Sequence, residues 1–320
     1  MTRPLIAVFG ATGTVGGGLV RALLTADERE FRARAVTRRP GSAAAHALYD
    51  LGAEICAADL DDAASVERAM AGAHGAFCIT SAREHGSPER EFAQADTLAA
   101  AAQRCCVRHV VWSTLEDTRT YVAPDGLTMP VLQQHYNVPC LDAKGAADQC
   151  FIGRGLPLTR LLLSLTWERL VSLGLWPQPA GDGPRAFVLP IGDTRLPGIA
   201  AADIGACAAA LFRQREAALG RRVGIAGEQL SGAQMATALA RALGEPVRYL
   251  PVTPAAYAAL GFPGADEIAN LCQFVRDFNA EFCAPREVAT TRALHPAALT
   301  FAAWLAAHAA QRPIATRAVA

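Results

Sequence analysis

Over the first 165 residues, short apolar runs alternate with longer stretches whose apolar positions recur at helical spacing. The runs predict strands over residues 5–9, 31–37, 54–57, 75–80, 109–113 and 158–164, and the stretches between them predict helices over 15–25, 43–51, 62–71, 89–104 and 141–152. Strand and helix in this alternation build a parallel sheet covered on both faces. Right-handed crossovers then put the ligand crevice at the carboxyl ends of the strands. The expected class is α/β with a doubly wound parallel sheet. From Trp167 the pattern loosens: Pro and Gly punctuate residues 177–198, and helical segments follow around 201–213, 231–243 and 296–309. This predicts a first domain over 1–165, a smaller C-terminal α+β lobe over 166–312 interleaved with the sheet of the first, and a frayed tail over 313–320.

Composition narrows the function classes. Lys+Arg and Asp+Glu both number 30, so no net field draws the chain onto nucleic acid or an anionic membrane. Met1-Thr2-Arg3-Pro4 runs straight into the first apolar strand, which is too short for a signal segment, and no apolar run reaches the roughly 20 residues of a spanning helix. The nine cysteines form neither a disulfide framework nor C-x-x-C pairs, which points to free thiols in the cytoplasm. The seven histidines do not pair with carboxylates at metal-ligand spacing, so no metal is expected.

The first chemistry lies directly after the first strand. Gly10-Ala11-Thr12-Gly13-Thr14-Val15-Gly16-Gly17-Gly18 leads into the helical Leu19-Val20-Arg21-Ala22-Leu23. A strand, a glycine turn and a helix start are what a pyrophosphate needs, because glycines let the backbone approach and first-turn amides point at the anion. The site set is Gly10, Thr12, Gly13, Thr14, Val15 and Gly16, and the domain reads as a dinucleotide-binding Rossmann unit. At the end of the second strand an NAD enzyme carries an acid for the ribose hydroxyls; here Thr37-Arg38-Arg39 stands instead, which suits a 2′-phosphate. Asp59 and Leu60 end the third strand, beside the adenine position, and Thr80 and Ser81 end the fourth, on the nicotinamide side.

These residues resemble the NmrA-like family of atypical short-chain dehydrogenases, and the likeness runs from about residue 5 to 308. VFGATGTVGGGLVRALL, AVTRRP, VVWSTLED, SLTWERL and LPIGDTRLPGIAAADIG carry it, and GFPGADEIANLCQFVRDFNAEFC resembles the branch containing NADPH sensors. The resemblance implies a Rossmann lobe, a smaller lobe closing over the cleft and a preference for NADP(H). The family holds regulators, redox sensors and true reductases, so membership does not settle activity.

Reducing relatives place a Tyr four residues before a Lys, with a Ser at the end of the fifth strand. By that resemblance Ser113 and Lys144 occupy the Ser and Lys positions, with Lys144 also touching the cofactor, and Cys140 stands where the Tyr would be. Tyr136, eight residues before Lys144, cannot share its helical turn. Pro139 suits a first helical turn, so Cys140 is expected at a helix N-terminus, where the dipole and Lys144 favour a thiolate and Asp142 opposes it. His135 is an alternative proton donor, and Trp167 matches a cleft aromatic after the sixth strand. Two functions remain: an NADPH-dependent oxidoreductase acting on a small organic substrate, or a non-catalytic NADPH/NADP sensor with a regulatory protein partner. The chain is expected to be a monomer or homodimer.

Overall fold

The computed structural model describes residues 3–25, 30–122, 129–181 and 183–308. Six strands, β1 (Leu5–Val8), β2 (Arg32–Thr37), β3 (Glu54–Ala57), β4 (Gly75–Cys78), β5 (His109–Thr114) and β6 (Leu158–Leu162), alternate with α1 (Thr14–Leu24), α2 (Ala43–Asp50), α3 (Ala63–Met70), α4 (Pro88–Arg104), α5 (Pro139–Ala146) and α6 (Asp148–Ile152). Then come β7 (Leu165–Thr166), α7 (Glu168–Ser172), β8 (Arg185–Val188), β9 (Arg195–Ile199), α8 (Ala201–Gln214), β10 (Arg222–Gly224), β11 (Glu228–Ser231), α9 (Gly232–Leu243) and β12 (Val247–Leu250). Five helices finish the described chain: α10 (Pro254–Ala258), α11 (Ala265–Asp277), α12 (Asn279–Cys283), α13 (Val288–Leu294) and α14 (Phe301–His308).

Seven strands form one sheet in the order β10-β6-β5-β4-β1-β2-β3, and every pairing from β6 to β3 is parallel. This is the doubly wound Rossmann arrangement. Burial follows position: β1, β4 and β5 are buried at every residue, whereas the edge strand β3 is partly open. Local signals start the helices where the chain leaves the sheet. Asp62 caps α3 by accepting from the amides of Ala64 and Ser65, and Ser87 caps α4 by accepting from Arg90, with Pro88 in the first turn. Helix α1 lies so close to α8 that a Cβ on Gly205 would sit 2.2 Å from the Leu19 nitrogen.

Two expectations change. The helix expected over 141–152 is two helices, broken at Ala147. Directly after the break the Asp148 carboxylate accepts from Trp112 Nε1 at 2.9 Å and Thr114 Oγ1 at 2.6 Å, which ties α6 to β5. The chain also divides at several points instead of one: the first unit takes 1–117, 140–163 and 201–223, and the second takes 118–139, 164–200 and 224–320. The sheet thus regains the chain after residue 200, through α8 and β10, a strand of three residues that is too short to show a period.

The second unit is α+β. Strands β11, β9 and β7 form a small sheet and β8 pairs with β12; α7, α9 and α12 pack on these strands, α14 packs on α9, and α10 on α11. Its core holds Trp167, 1% exposed, with Phe301 and Trp304 rings 5.5 and 6.0 Å away. The expected tail over 313–320 lies outside the described residues. Among the described residues no helix is long and apolar enough to cross a membrane.

Candidate functional site

The glycine loop joins β1 to α1 at the carboxyl end of the sheet. Gly10 takes φ +66°, a left-handed conformation that glycine adopts without strain, and its carbonyl accepts from the Gly13 amide at 3.0 Å. Gly16 is needed for a different reason: a Cβ there would stand 2.4 Å from the Gly10 oxygen, so the loop closes only over a hydrogen. Helix α1 begins at Gly13 with no side-chain cap and no acid in its first turn. First-turn amides have no partner within a helix. The amides of Thr14, Val15 and Gly16, at the positive end of the dipole, therefore suit an anion, and a dinucleotide pyrophosphate fits the residues present.

At the end of β2, Thr37 Oγ1 lies 3.2 Å from Thr12 Oγ1 and accepts from the Arg39 amide at 3.1 Å, joining the glycine loop to the arginine pair. The two arginines differ. Arg38 Nη2 donates to Glu84 Oε2 at 2.5 Å, while Arg39 has no charged partner among the described residues. Beyond β3, Asp59 lies exposed and its carboxylate accepts from the Asp61 amide at 3.1 Å, shaping the turn that presents Leu60. Hydrogen bonds from Arg90 and then Gln94 hold the Asp61 carboxyl below its ordinary pKa.

A buried polar cluster joins Lys144 and Thr80 to Glu91, which the sequence had not singled out. Lys144 Nζ donates to the Thr80 carbonyl at 2.7 Å, to Thr80 Oγ1 at 3.0 Å and to Glu91 Oε1 at 2.9 Å. It also stands 5.0 Å from the centre of the Trp112 ring. Thr80 Oγ1 donates to the same Glu91 oxygen at 2.6 Å. Burial alone pushes the Glu91 carboxyl up, but the Lys144 charge and the hydrogen bonds from Thr80 and Lys144 leave it below its ordinary value. Its Oε2 is buried without a hydrogen-bond partner in the described residues. One sequence signal points to Glu91: it shares the buried stripe of α4 with Ala95, Leu98 and Ala102, so a carboxylate sits in phase with the core face.

The other expected residues divide. Cys140 and Lys144 lie one turn apart on α5, as expected, and Cys140 is half-buried. The Lys144 charge is matched by Glu91. Ser113 is fully buried, and its Oγ has no partner in the described residues. Strand alternation turns it to the face opposite Trp112, and no hydrogen bond joins it to Lys144 among the described residues. Ser81 follows Thr80, half-buried; His135 is exposed. Trp167 is a core residue of its own unit: a Cβ on Gly198 would meet its Nε1 at 2.2 Å.

Comparison with known proteins places the chain. The NmrA-like oxidoreductase FrzB of a Cladobotryum species is 26% identical over 295 residues, covering 88% of this chain and 86% of that one. Other relatives match only locally: the NmrA-like oxidoreductase notA′ of Aspergillus versicolor is 36% identical over 124 residues, 37% of this chain and 34% of its own. Among solved structures, the negative transcriptional regulator NmrA in complex with NADP superposes with a TM-score of 0.75 at 20% identity, over 96% of this chain and 95% of that one. The NADPH complex of the quinone oxidoreductase QOR2 from Escherichia coli gives a TM-score of 0.71 at 20% identity, over 97% and 99%. At such identities these structures establish the shared fold, and those neighbours were solved with bound NADP or NADPH. Residues 2–305 match the model of the NmrA-like family, and the chain belongs to that family.

Proposed function

We propose that the chain binds NADP(H) and works as an NADPH-dependent oxidoreductase on a small organic substrate. The observation that carries this is the uncapped, acid-free start of α1 beneath a closed glycine loop, flanked by two arginines where an NAD protein would place an acid. Gly10, Thr12, Gly13, Thr14, Val15 and Gly16 cradle the pyrophosphate, Thr37, Arg38 and Arg39 take the 2′-phosphate, and Asp59 and Leu60 border the adenine. Thr80, Ser81 and Lys144 lie toward the nicotinamide. Bound NADPH supplies a hydride to the substrate. Cys140, one turn before Lys144, holds the proton-donor position that a Tyr fills in reducing relatives. The names of relatives such as FrzB, an oxidoreductase, support this reading.

A second reading draws on the Lys144 cluster. An ammonium with its donors spent on Thr80 and Glu91, and no Tyr one turn before it, suits a protein that senses the NADPH/NADP ratio and passes it to a regulatory protein partner. One measurement tests the cofactor that both readings share, and a second separates them. Titration calorimetry is expected to show NADP+ bound more tightly than NAD+; equal affinity would reject the cofactor assignment. NADPH absorbance followed against quinones, aldehydes and enones is expected to fall with at least one class. Tight NADPH binding without turnover across the panel would leave the sensor.

A further inference from the structure

The pairing of Arg38 with Glu84 carries a second layer of nucleotide selectivity, which rests on the NADP(H) reading. Arg38 directly follows β2, and Glu84 closes the short helical turn Ala82–Glu84 that follows β4. In the sheet β1 lies between β2 and β4, so the Arg38–Glu84 ion pair links segments on either side of the strand that feeds the glycine loop. Arg39, next along the chain, has no charged partner among the described residues. One guanidinium is thus available from the outset, and the other already holds an anion.

We propose that Glu84 sets selectivity, as a resident counter-anion that a 2′-phosphate must displace from Arg38 or share it with. A nucleotide phosphate brings a second, larger negative charge to the same guanidinium, and the Glu84 carboxylate repels it while competing for the same N–H donors. A bare ribose neither needs Arg38 nor meets this repulsion. Glu84 therefore restrains affinity for NADP(H) and leaves NAD(H) untouched. The effect is modest, because 55% of the Arg38 side chain and 57% of the Glu84 side chain are exposed and water screens the pair.

The experiment is titration calorimetry with NADP+ and NAD+ at one ionic strength, on the wild type, Glu84→Gln, Arg38→Ala and the double variant, with thermal melts to check folding. Glu84→Gln is expected to lower the NADP+ Kd about two- to fivefold and leave that of NAD+ unchanged. In the Arg38→Ala background the same change is expected to do nothing. Three results would overturn the inference alone: no change in the NADP+ Kd, an equal gain for both dinucleotides, or the full gain retained without Arg38. If Arg38→Ala leaves the NADP+/NAD+ preference intact, the assignment of Arg38 to the 2′-phosphate fails with it.

Discussion

Lys144 Nζ lies 2.9 Å from Glu91 Oε1, with only 6% and 2% of the two side chains exposed. A pair this deep contributes little net stability against an apolar pair, but losing one partner leaves a buried charge uncompensated, at about 3–5 kcal/mol. Glu91→Gln is expected to cost that much in urea denaturation, and Glu91→Gln with Lys144→Met to recover a large part of it. A single variant within about 1 kcal/mol of wild type would show that the pair is not held in solution. The sign with pH follows from the lowered Glu91 carboxyl. Its contribution is present above the unfolded carboxylate value of about 4.3 and is lost as pH falls through the lower folded value.

The glycine loop gives a graded test. A Cβ on Gly16 meets the Gly10 oxygen at 2.4 Å and its carbonyl carbon at 2.7 Å, both backbone atoms of the loop itself, whereas a Cβ on Gly13 meets that oxygen at 3.3 Å. Gly16→Ala must therefore move the loop, and it is expected to destabilise the fold by about 1–3 kcal/mol and to abolish dinucleotide binding. Gly13→Ala is expected to keep wild-type stability and weaken binding only. Thermal melts beside calorimetry decide this; equal stability for Gly16→Ala would mean that the loop is not closed as described.

Much of the first unit was legible from its pattern, because β1 and β4 are short buried runs without a charged residue and β5 carries the apolar Val110-Val111-Trp112 at its centre, each set between helical stretches. The glycine loop and Thr37-Arg38-Arg39 were legible too, since adjacent residues and a preceding strand define them. What depends on distant pairing was not. Nothing in one dimension joins residue 91 to residue 144, or 84 to 38, and each pair changes what a foreseen residue can do: Lys144 is spent on Glu91, and Arg38 on Glu84. Trp167 misled for a related reason, because an aromatic after a strand reads alike whether it lines a cleft or, as here, fills a core against Phe301 and Trp304. The expected interleaving of the second lobe with the sheet came without a position, and α8 and β10 are where the chain re-enters the first unit.

At the start of β5, His109 Nε2 lies 2.9 Å from Thr159 Oγ1, which donates to the Ala218 carbonyl at 2.8 Å. With its hydrogen donated to that carbonyl, Thr159 Oγ1 accepts from the His109 Nε2–H. Burial, with a smaller effect from His74, pushes the imidazole down to about 4. A histidine lowered on folding stabilises the native state fully above its unfolded value of about 6.5, and the stability drains as pH falls from there to about 4, on the order of 3 kcal/mol in all. His109→Gln keeps a donor and does not titrate, so its urea stability is expected to fall less than that of the wild type between pH 7.5 and pH 5. Parallel losses would assign the acid sensitivity to other groups.

Cysteine labelling tests the placement of Cys140. Burial pushes the Cys207 and Cys272 thiols up to about 12, so neither is expected to react with iodoacetamide while the protein is folded. Cys106 is exposed, with φ 51° in the turn before the amino end of β5, remote from the glycine loop at the carboxyl end of the sheet, and is expected to label first. Cys140 is half-buried in the first turn of α5 and is expected to follow more slowly. If α5 borders the bound nucleotide, as its Lys144 contact with the end of β4 suggests, NADP+ will slow labelling at Cys140 and leave Cys106 unchanged. Mass spectrometry of the labelled peptides over a time course gives both rates in one sample. Equal slowing at both cysteines would report a general tightening of the fold. No slowing at Cys140, in a protein shown by calorimetry to have bound NADP+, would remove it from the proton-donor position and leave it as packing beside Lys144.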